Sequence, residues 1–414
     1  MIKKNNNQFV IFALLLIIMA AFFWNYFLPR AQFVWSEKLT STNLPNPDFY
    51  GYYTAGKSFQ LGLNPYLDNG VTDHSLSDSR DSSVYSRYIY LPFALPFYKL
   101  LAGMDYDSAR ALWLIINCLA YLTAIITIMS CLAKNHHFSW LMANIFFVLV
   151  SSNFIFHIRQ GQIDMLVIGL ILLSFVSYQR GGKIMPAILL ALATLIKINP
   201  VFLLLYFIIY KKDLRFLLNY AVSCVGLVLL SLISVPVHLY KMYIKIILPS
   251  IGKGSVYFYN QSLFRPLSTI IPNERVLSLV LCFLLILVFG SLCYFVWRRK
   301  IKGGFVDTAF LALNLLGVLL ITPFSWHMAY VWILIPIILL LYRCYRCPIR
   351  ISYIFILPLL VGTALVVSRI DPQNSGPLVT NFNLIGAGTL FLTISSFILS
   401  QPKALAEPQD TICA

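Results

Sequence analysis

The sequence predicts an all-α polytopic membrane protein of about 11 apolar segments, one of them a broken hairpin, with an interfacial helix in the first outer loop. Three observations predict it. The chain is 59% hydrophobic and only 11% charged, whereas a soluble domain carries about 25% charged residues. Its apolar residues gather in runs, the longest of them able to span a bilayer, which takes roughly 20 residues. Its 24 Tyr, 31 Phe and 7 Trp suit rings placed at membrane interfaces. The net charge of +16 is scattered between the apolar runs rather than gathered in a patch. It reads as topology signals and anionic-lipid contacts, and no nucleic-acid partner is expected.

The first run covers 9–28, behind the basic head "MIKK". Bulky Phe, Trp and Tyr stand where a cleavable signal would have small residues, so this is an uncleaved helix with a cytoplasmic N-terminus. Further runs cover 109–133, 140–157, 163–178, 184–210, 216–235, 276–297, 305–321, 328–342, 351–368 and 384–400. In the run 184–210, "IKINP" places Lys197 and Pro200 at mid-membrane depth, where proline breaks the helical ladder and a lysine is costly.

Charge decides the threading. If 184–210 enters and leaves on one side, then "KNHH", "QRGGK", "KKDLR", "WRRKIKGG" and "YRCYRCPIR" all share the side of the N-terminal "KK", the positive-inside pattern. A straight span would invert everything after it, so the hairpin is preferred. The outer loops are then 29–108, 158–162, 236–275, 322–327 and 369–383. Residues 1–400 form one membrane domain, and 401–414 a disordered cytoplasmic tail. None of these outer loops contains Cys, so no disulfide framework is expected. Cys344 and Cys347 form a lone C-x-x-C, read as a reduced structural pair. No cofactor and no essential metal are expected.

The outer loops hold Asp48, Arg159, Gln160, Gln162, Asn260, Gln261, Arg265, Trp326 and His327, and Lys197 tips the hairpin that points toward them. In the first loop, 49–63 has helical spacing, with Tyr52, Ala55, Gly56, Phe59 and Leu63 on one face of a helix lying along the bilayer. Asp48 stands where it would cap that helix. The stretch "SRYIYLPFALPFYKLLAGMDYD", broken by Pro92 and Pro96, reads as a kinked partial insertion, and Asp105 and Asp107 as caps of the helix that begins at Ala109, with Asp107 close to the N-cap position.

"DFYGYYTAGKSFQLGLNPYL" resembles the signature of glycosyltransferase family 87, the polyprenol-phosphate-mannose-dependent mannosyltransferases, at Asp48, Tyr53, Ala55, Gly56, Gly62, Pro65 and Tyr66. In order follow "YLPFALPFY", "RQGQIDMLVIGLILLSF", "ATLIKINPVFLLLYFI", "YNQSLFRPL" and "TPFSWHMAYVWILIPI", so the similarity runs over 48–336. The resemblance implies a GT-C-type fold in the cell inner membrane and inverting transfer of a hexose, mannose first among them. The donor it implies is a polyprenyl-phosphate sugar, with an Asp of the first outer loop as base, here Asp48; the acceptor stays open between a glycolipid, a polysaccharide intermediate and a protein. One departure is Asp164, an acid where the family often has an amide.

The residue types fit that chemistry. A polyprenyl phosphate leaves readily at neutral pH, so one carboxylate in reach of the attacking hydroxyl and cations facing the phosphate suffice. Lys197, Arg159, Arg265 and His327 are the candidates for the phosphate. Gln160, Gln162, Asp164, Asn260, Gln261, Trp326 and Tyr53 are those for sugar or acceptor. Bland roles stand beside these: Arg159 and Arg265 as headgroup anchors, Asn260 and Gln261 as loop caps, Asp164 as an ion-pair partner of Arg159. The alternative function is a lipid or sugar transporter or flippase, since broken helices and an intramembrane lysine serve transport too.

Overall fold

The computed structural model describes residues 47–66, 88–132, 152–251, 260–299, 304–323, 325–333, 335–338 and 382–399. Every regular element among them is helical, and one isolated antiparallel bridge joins Asn260 to Trp326. In chain order the helices are α1 (Pro47–Gln60), α2 (Leu95–Ala102), α3 (Tyr106–Leu132), α4 (Ser152–Gln160), α5 (Asp164–Gln179) and α6 (Ile184–Ile196). They continue as α7 (Leu214–Ser231), α8 (Val237–Met242), α9 (Leu248–Ile251), α10 (Phe264–Leu267), α11 (Glu274–Arg299), α12 (Gly304–Ile321) and α13 (Phe382–Leu399).

Among the described residues α3, α7 and α11 are long and apolar enough to cross a membrane. The pair α4 and α5 adds a fourth span if read as one broken helix, bent by 120°. The expected runs 9–28 and 351–368, Cys344, Cys347 and the tail lie outside the described residues. The outward faces of α7 and α11 carry exposed Leu218, Val222, Val225, Leu279, Phe283 and Ile286, an apolar surface that lipid rather than water would cover.

Two polar layers lie at opposite ends of α5. At 16 residues it is about 24 Å long at 1.5 Å per residue, close to the hydrocarbon thickness of a bilayer. At its far end Gln179 Nε2 donates to Asp307 Oδ2 (3.2 Å), Lys211 Nζ reaches Asp307 Oδ1, and Tyr178 OH donates to Asp213 Oδ2 (2.8 Å). Lys183 Nζ also reaches Asp213 Oδ2.

That last pair bears on the broken segment. Lys183 precedes α6, and Asp213 follows the 3-10 turn Asn199–Leu203 and the π-helical turn Tyr206–Lys211. The chain therefore leaves this layer at residue 183, runs out to Lys197, and returns to its starting point by residue 213, as a hairpin requires. Helix α6 ends where Lys197 turns extended (φ −144°, ψ 125°), and Pro200 starts the return without needing a backbone donor. Irregular backbone at such depth is tolerated where it lines a polar cavity.

Two expectations change. The first-loop helix is buried around most of its circumference instead of lying flat with one face exposed: Asp48, Phe49, Tyr52, Tyr53, Ala55 and Ser58 are all buried. Gly56 allows this, because a Cβ there would meet the Tyr98 carbonyl oxygen of α2 at 2.2 Å. The helix already includes Pro47, so Asp48 lies inside its first turn rather than ahead of it. And of the two acids expected to cap α3, Asp105 rather than Asp107 holds the N-cap position: its Oδ1 accepts from Ser108 N (3.0 Å), while Asp107 sits within the first turn, 4.0 Å from Arg110 Nε. The helix starts one turn earlier than its apolar run, since polar first-turn residues carry no hydropathy signal.

Gly56→Ala should lower the unfolding midpoint of the purified protein in nanodiscs, an overpacking cost of about 1–3 kcal/mol, because the atom it meets is backbone. Asp213 gives a pH-dependent expectation. Burial raises its carboxyl pKa, but hydrogen bonds from Lys183, Phe216 N and Tyr178 outweigh this and hold it at about 2, below its ordinary 3.8. Its contribution to stability is thus complete above 3.8 and is lost as pH falls through about 2. Asp213→Ala should be less stable than wild type near neutral pH, and the gap should narrow as thermal unfolding is measured toward pH 2.

Candidate active site

The near polar layer forms where the chain turns between α4 and α5. Gly161 takes φ 67°, in the left-handed region that suits glycine. Its carbonyl accepts from Trp113 Nε1 of α3 (2.7 Å), and Asn117 Oδ1 accepts from Leu166 N (3.2 Å), satisfying one of the orphan donors at the start of α5. Trp332 Nε1 donates to the Asp164 carbonyl (3.3 Å), so the 3-10 turn His327–Ile333 closes over the same spot.

Anchored this way, the turn presents two side chains. Gln162 Nε2 donates to Asp48 Oδ2 at 2.7 Å. Asp164, with no exposure at all, receives Lys197 Nζ at 2.7 Å on Oδ1 and 2.8 Å on Oδ2. The sequence offered Arg159 as the partner of Asp164; the structure gives it Lys197 instead, because the re-entrant tip lies against the start of α5. Arg159 is exposed in the last turn of α4. Lys197 also lies within electrostatic reach of Asp48 and Tyr90.

Two phenols complete the cluster, and neither was among the site residues expected from sequence. Tyr52, one helical turn beyond Asp48, lies 3.0 Å from Gln162 Oε1 and 3.0 Å from Tyr90 OH. Tyr90 OH lies 3.4 Å from Gln162 Oε1. Burial pushes the Tyr90 phenol up to about 12 against the opposing pull of Lys197, and it pushes Tyr52 well above its ordinary value, with Tyr90, Tyr98 and Asp48 adding to the shift. Both are neutral donors at physiological pH. The signal for Tyr52 was present in the four-residue spacing from Asp48; nothing local marks Tyr90 among so many tyrosines.

Other expected residues have different placements. Tyr53 turns away, donating to the Met104 carbonyl (2.8 Å). Asn260 joins two loops: its Nδ2 donates to Pro323 O (2.7 Å), and its Oδ1 accepts from Ser325 N (3.0 Å) and from Ser262. These are the contacts that the loop-capping role requires. Gln261 is buried beside it, its carbonyl accepting from Tyr330 OH and its N–H donating to Ser325 O (2.8 Å). Trp326 is half-buried on the bridge to Asn260. Arg265 is half-buried on α10, where burial lowers its pKa, and Gln160 is half-buried at the end of α4. His327 opens its 3-10 turn, and the contact expected of its side chain lies outside the described residues.

The structure thus gathers Asp48, Gln162, Asp164 and Lys197 with Tyr52 and Tyr90, from four separate stretches of chain. Residues 88–323, more than half of the chain, match the family model of glycosyltransferase family 87. The chain belongs to glycosyltransferase family 87. No curated protein matches it. This membrane protein is therefore a glycosyltransferase, which favours catalysis over the transport alternative. The matched span includes Tyr90, Gln162, Asp164 and Lys197 but begins after Asp48, so what ties Asp48 to the family region is its hydrogen bond to Gln162.

A buried ion pair costs most when one half is removed. Asp164→Asn leaves Lys197 uncompensated and should destabilise by about 3–5 kcal/mol, whereas the double change Asp164→Asn with Lys197→Met should recover much of that loss. Denaturant unfolding of the three variants checks it. A double variant no more stable than the single one would show that the two side chains do not act as a pair.

Proposed function

We propose that this family 87 enzyme moves a hexose, mannose being the first to test, from a polyprenyl-phosphate sugar to a hydroxyl of a glycolipid or polysaccharide, with inversion and with Asp48 as general base. The observation that carries this reading is the buried Asp48 carboxylate, held by Gln162 at 2.7 Å within electrostatic reach of the Lys197 ammonium.

In the proposed step Asp48 accepts the proton of the acceptor hydroxyl while that oxygen attacks the anomeric carbon from the face opposite the phosphate. The bond from anomeric carbon to phosphate oxygen breaks, and polyprenyl phosphate leaves with the electron pair. Gln162 takes one of the roughly four acceptor positions of the carboxylate, and others suit the hydroxyl. The start of α1 adds a positive dipole end that favours the ionised acid. Lys197 has three N–H donors and Asp164 engages its two oxygens, so one donor can meet the phosphate as charge builds there. Arg159, Arg265 and His327 are proposed as further phosphate contacts, and Gln160, Gln261 and Trp326 as sugar or acceptor contacts.

Sidedness follows from charge. Lys183, Lys211 and Lys212 lie at the far polar layer, and Lys212 sits over the Trp297 ring (5.5 Å), which brings the end of α11 with Arg298 and Arg299 to the same side. The positive-inside bias supports reading that layer as cytoplasmic and Asp48 as lying on the outer face of the cell inner membrane. A donor carried in lipid answers that location.

Asp48→Asn should keep the fold and lower transfer by about 100- to 10,000-fold, the range a general base contributes. The assay incubates purified protein in nanodiscs with radiolabelled polyprenyl-phosphate sugars and membrane lipid extract. Transfer by Asp48→Asn near the wild-type rate would remove Asp48 as base.

A further inference from the structure

We infer that Gln162 positions the Asp48 carboxylate rather than holding sugar, and that the hydrogen bond of Tyr52 acts on that carboxylate through Gln162. The inference rests on the reading of Asp48 as base.

A carboxylate only accepts hydrogen bonds, so the Gln162 end facing Asp48 Oδ2 at 2.7 Å must be its NH2. That fixes the amide orientation and turns Oε1 toward Tyr52 and Tyr90. A phenol has one proton. The arrangement that uses both 3.0 Å contacts of Tyr52 has it donating to Gln162 Oε1 and accepting from Tyr90 OH. An amide that serves a sugar hydroxyl needs a donor and an acceptor to offer. Here the acceptor end meets phenol and one of the two amide N–H groups faces the acid, which leaves at most the second N–H for a sugar.

The geometry of α1 makes this a clamp. Asp48 and Tyr52 are one turn apart on the same face, and they grip opposite ends of one amide that projects from the turn at Gly161. Gln162 is 7% exposed, and the backbone around it is pinned by Trp113 and Asn117. The side chain therefore cannot swing away without giving up its hydrogen bonds with Tyr52 and Asp48. A donor aimed at the ionised form favours that form, so the clamp keeps Asp48 deprotonated and holds one carboxylate oxygen in place. Among the described residues, the titratable groups that face Asp48 include the phenols of Tyr52 and Tyr90 and the ammonium of Lys197, which also pairs with Asp164.

The test measures Asp48 itself as well as turnover. Full-length protein in nanodiscs is labelled with dicyclohexylcarbodiimide, which modifies protonated buried carboxyls, and labelling of Asp48 is followed by mass spectrometry against pH. Gln162→Leu should move the labelling midpoint up by about one pH unit, the effect of losing one charge-assisted hydrogen bond. Gln162→Glu keeps the shape while placing a second acid beside Asp48, and should move it in the same direction, which covers the case in which the leucine variant does not fold. Tyr52→Phe should give a smaller upward shift, and Tyr52→Phe combined with Gln162→Leu should shift no further than Gln162→Leu alone. With radiolabelled polyprenyl-phosphate mannose and lipid extract, the Gln162 variants should lose kcat on the order of 100-fold, with the donor KM within about twofold.

A raised KM at unchanged kcat would return Gln162 to sugar binding. A Tyr52→Phe shift that adds in full to that of Gln162→Leu would overturn the route through Gln162. If Asp48→Asn is inactive while folded Gln162 variants leave the midpoint and kcat unmoved, the positioning role falls and the base assignment stands. If Asp48→Asn still transfers, both fall.

Discussion

A carboxylate without solvent exposure is tolerable in an apolar bundle only when a cation meets it, and here the cation comes from the tip of a broken helix. Lys197 engages both oxygens of Asp164, and two irregular pieces of backbone are thereby joined: the end of α6 and the start of α5. Removing either charge would leave the other buried alone, which is the expensive state. The pair thus holds the re-entrant tip against the turn at Gly161, and that turn in turn sets where Gln162 points.

The same constraint explains why the polar groups fall into two layers with apolar helix between them. Between its ends α5 buries Met165, Val167, Ile168, Ile171 and Leu172, where an unpaired charge would have no partner. Ionisable side chains collect instead where chain ends and turns supply partners. At the far layer Lys183–Asp213 and Lys211–Asp307 brace the two feet of the re-entrant segment. At the near layer a different balance holds. Asp48 faces an amide and two phenols, with Lys197 close by but engaged with Asp164.

Helix α1 links the first loop to the family region. Phe49 stacks on Trp113 at 5.8 Å and Tyr52 on Tyr98 at 5.2 Å, and Gly56 lets α1 settle onto α2. The Asp48 carboxylate is therefore carried on a helix wedged among aromatic rings, with little freedom to move relative to Gln162. A loop-borne acid would lack that precision.

Hydropathy and charge alone were enough to read an all-helical membrane chain, because those signals are local: run length, and where basic residues fall between the apolar runs. Pairing was not local. That Lys197 belongs to Asp164 rather than Arg159, that Tyr52 and Tyr90 join the cluster while Tyr53 turns to Met104, and that Asn260 ties two loops together all depend on contacts between residues up to 110 positions apart. The burial of α1 was equally hidden, since it depends on the missing Cβ of Gly56 meeting a carbonyl of another helix. Composition says which groups must find partners; only the packed chain decides which partner is within reach, because a hydrogen bond is made or lost within a few tenths of an ångström.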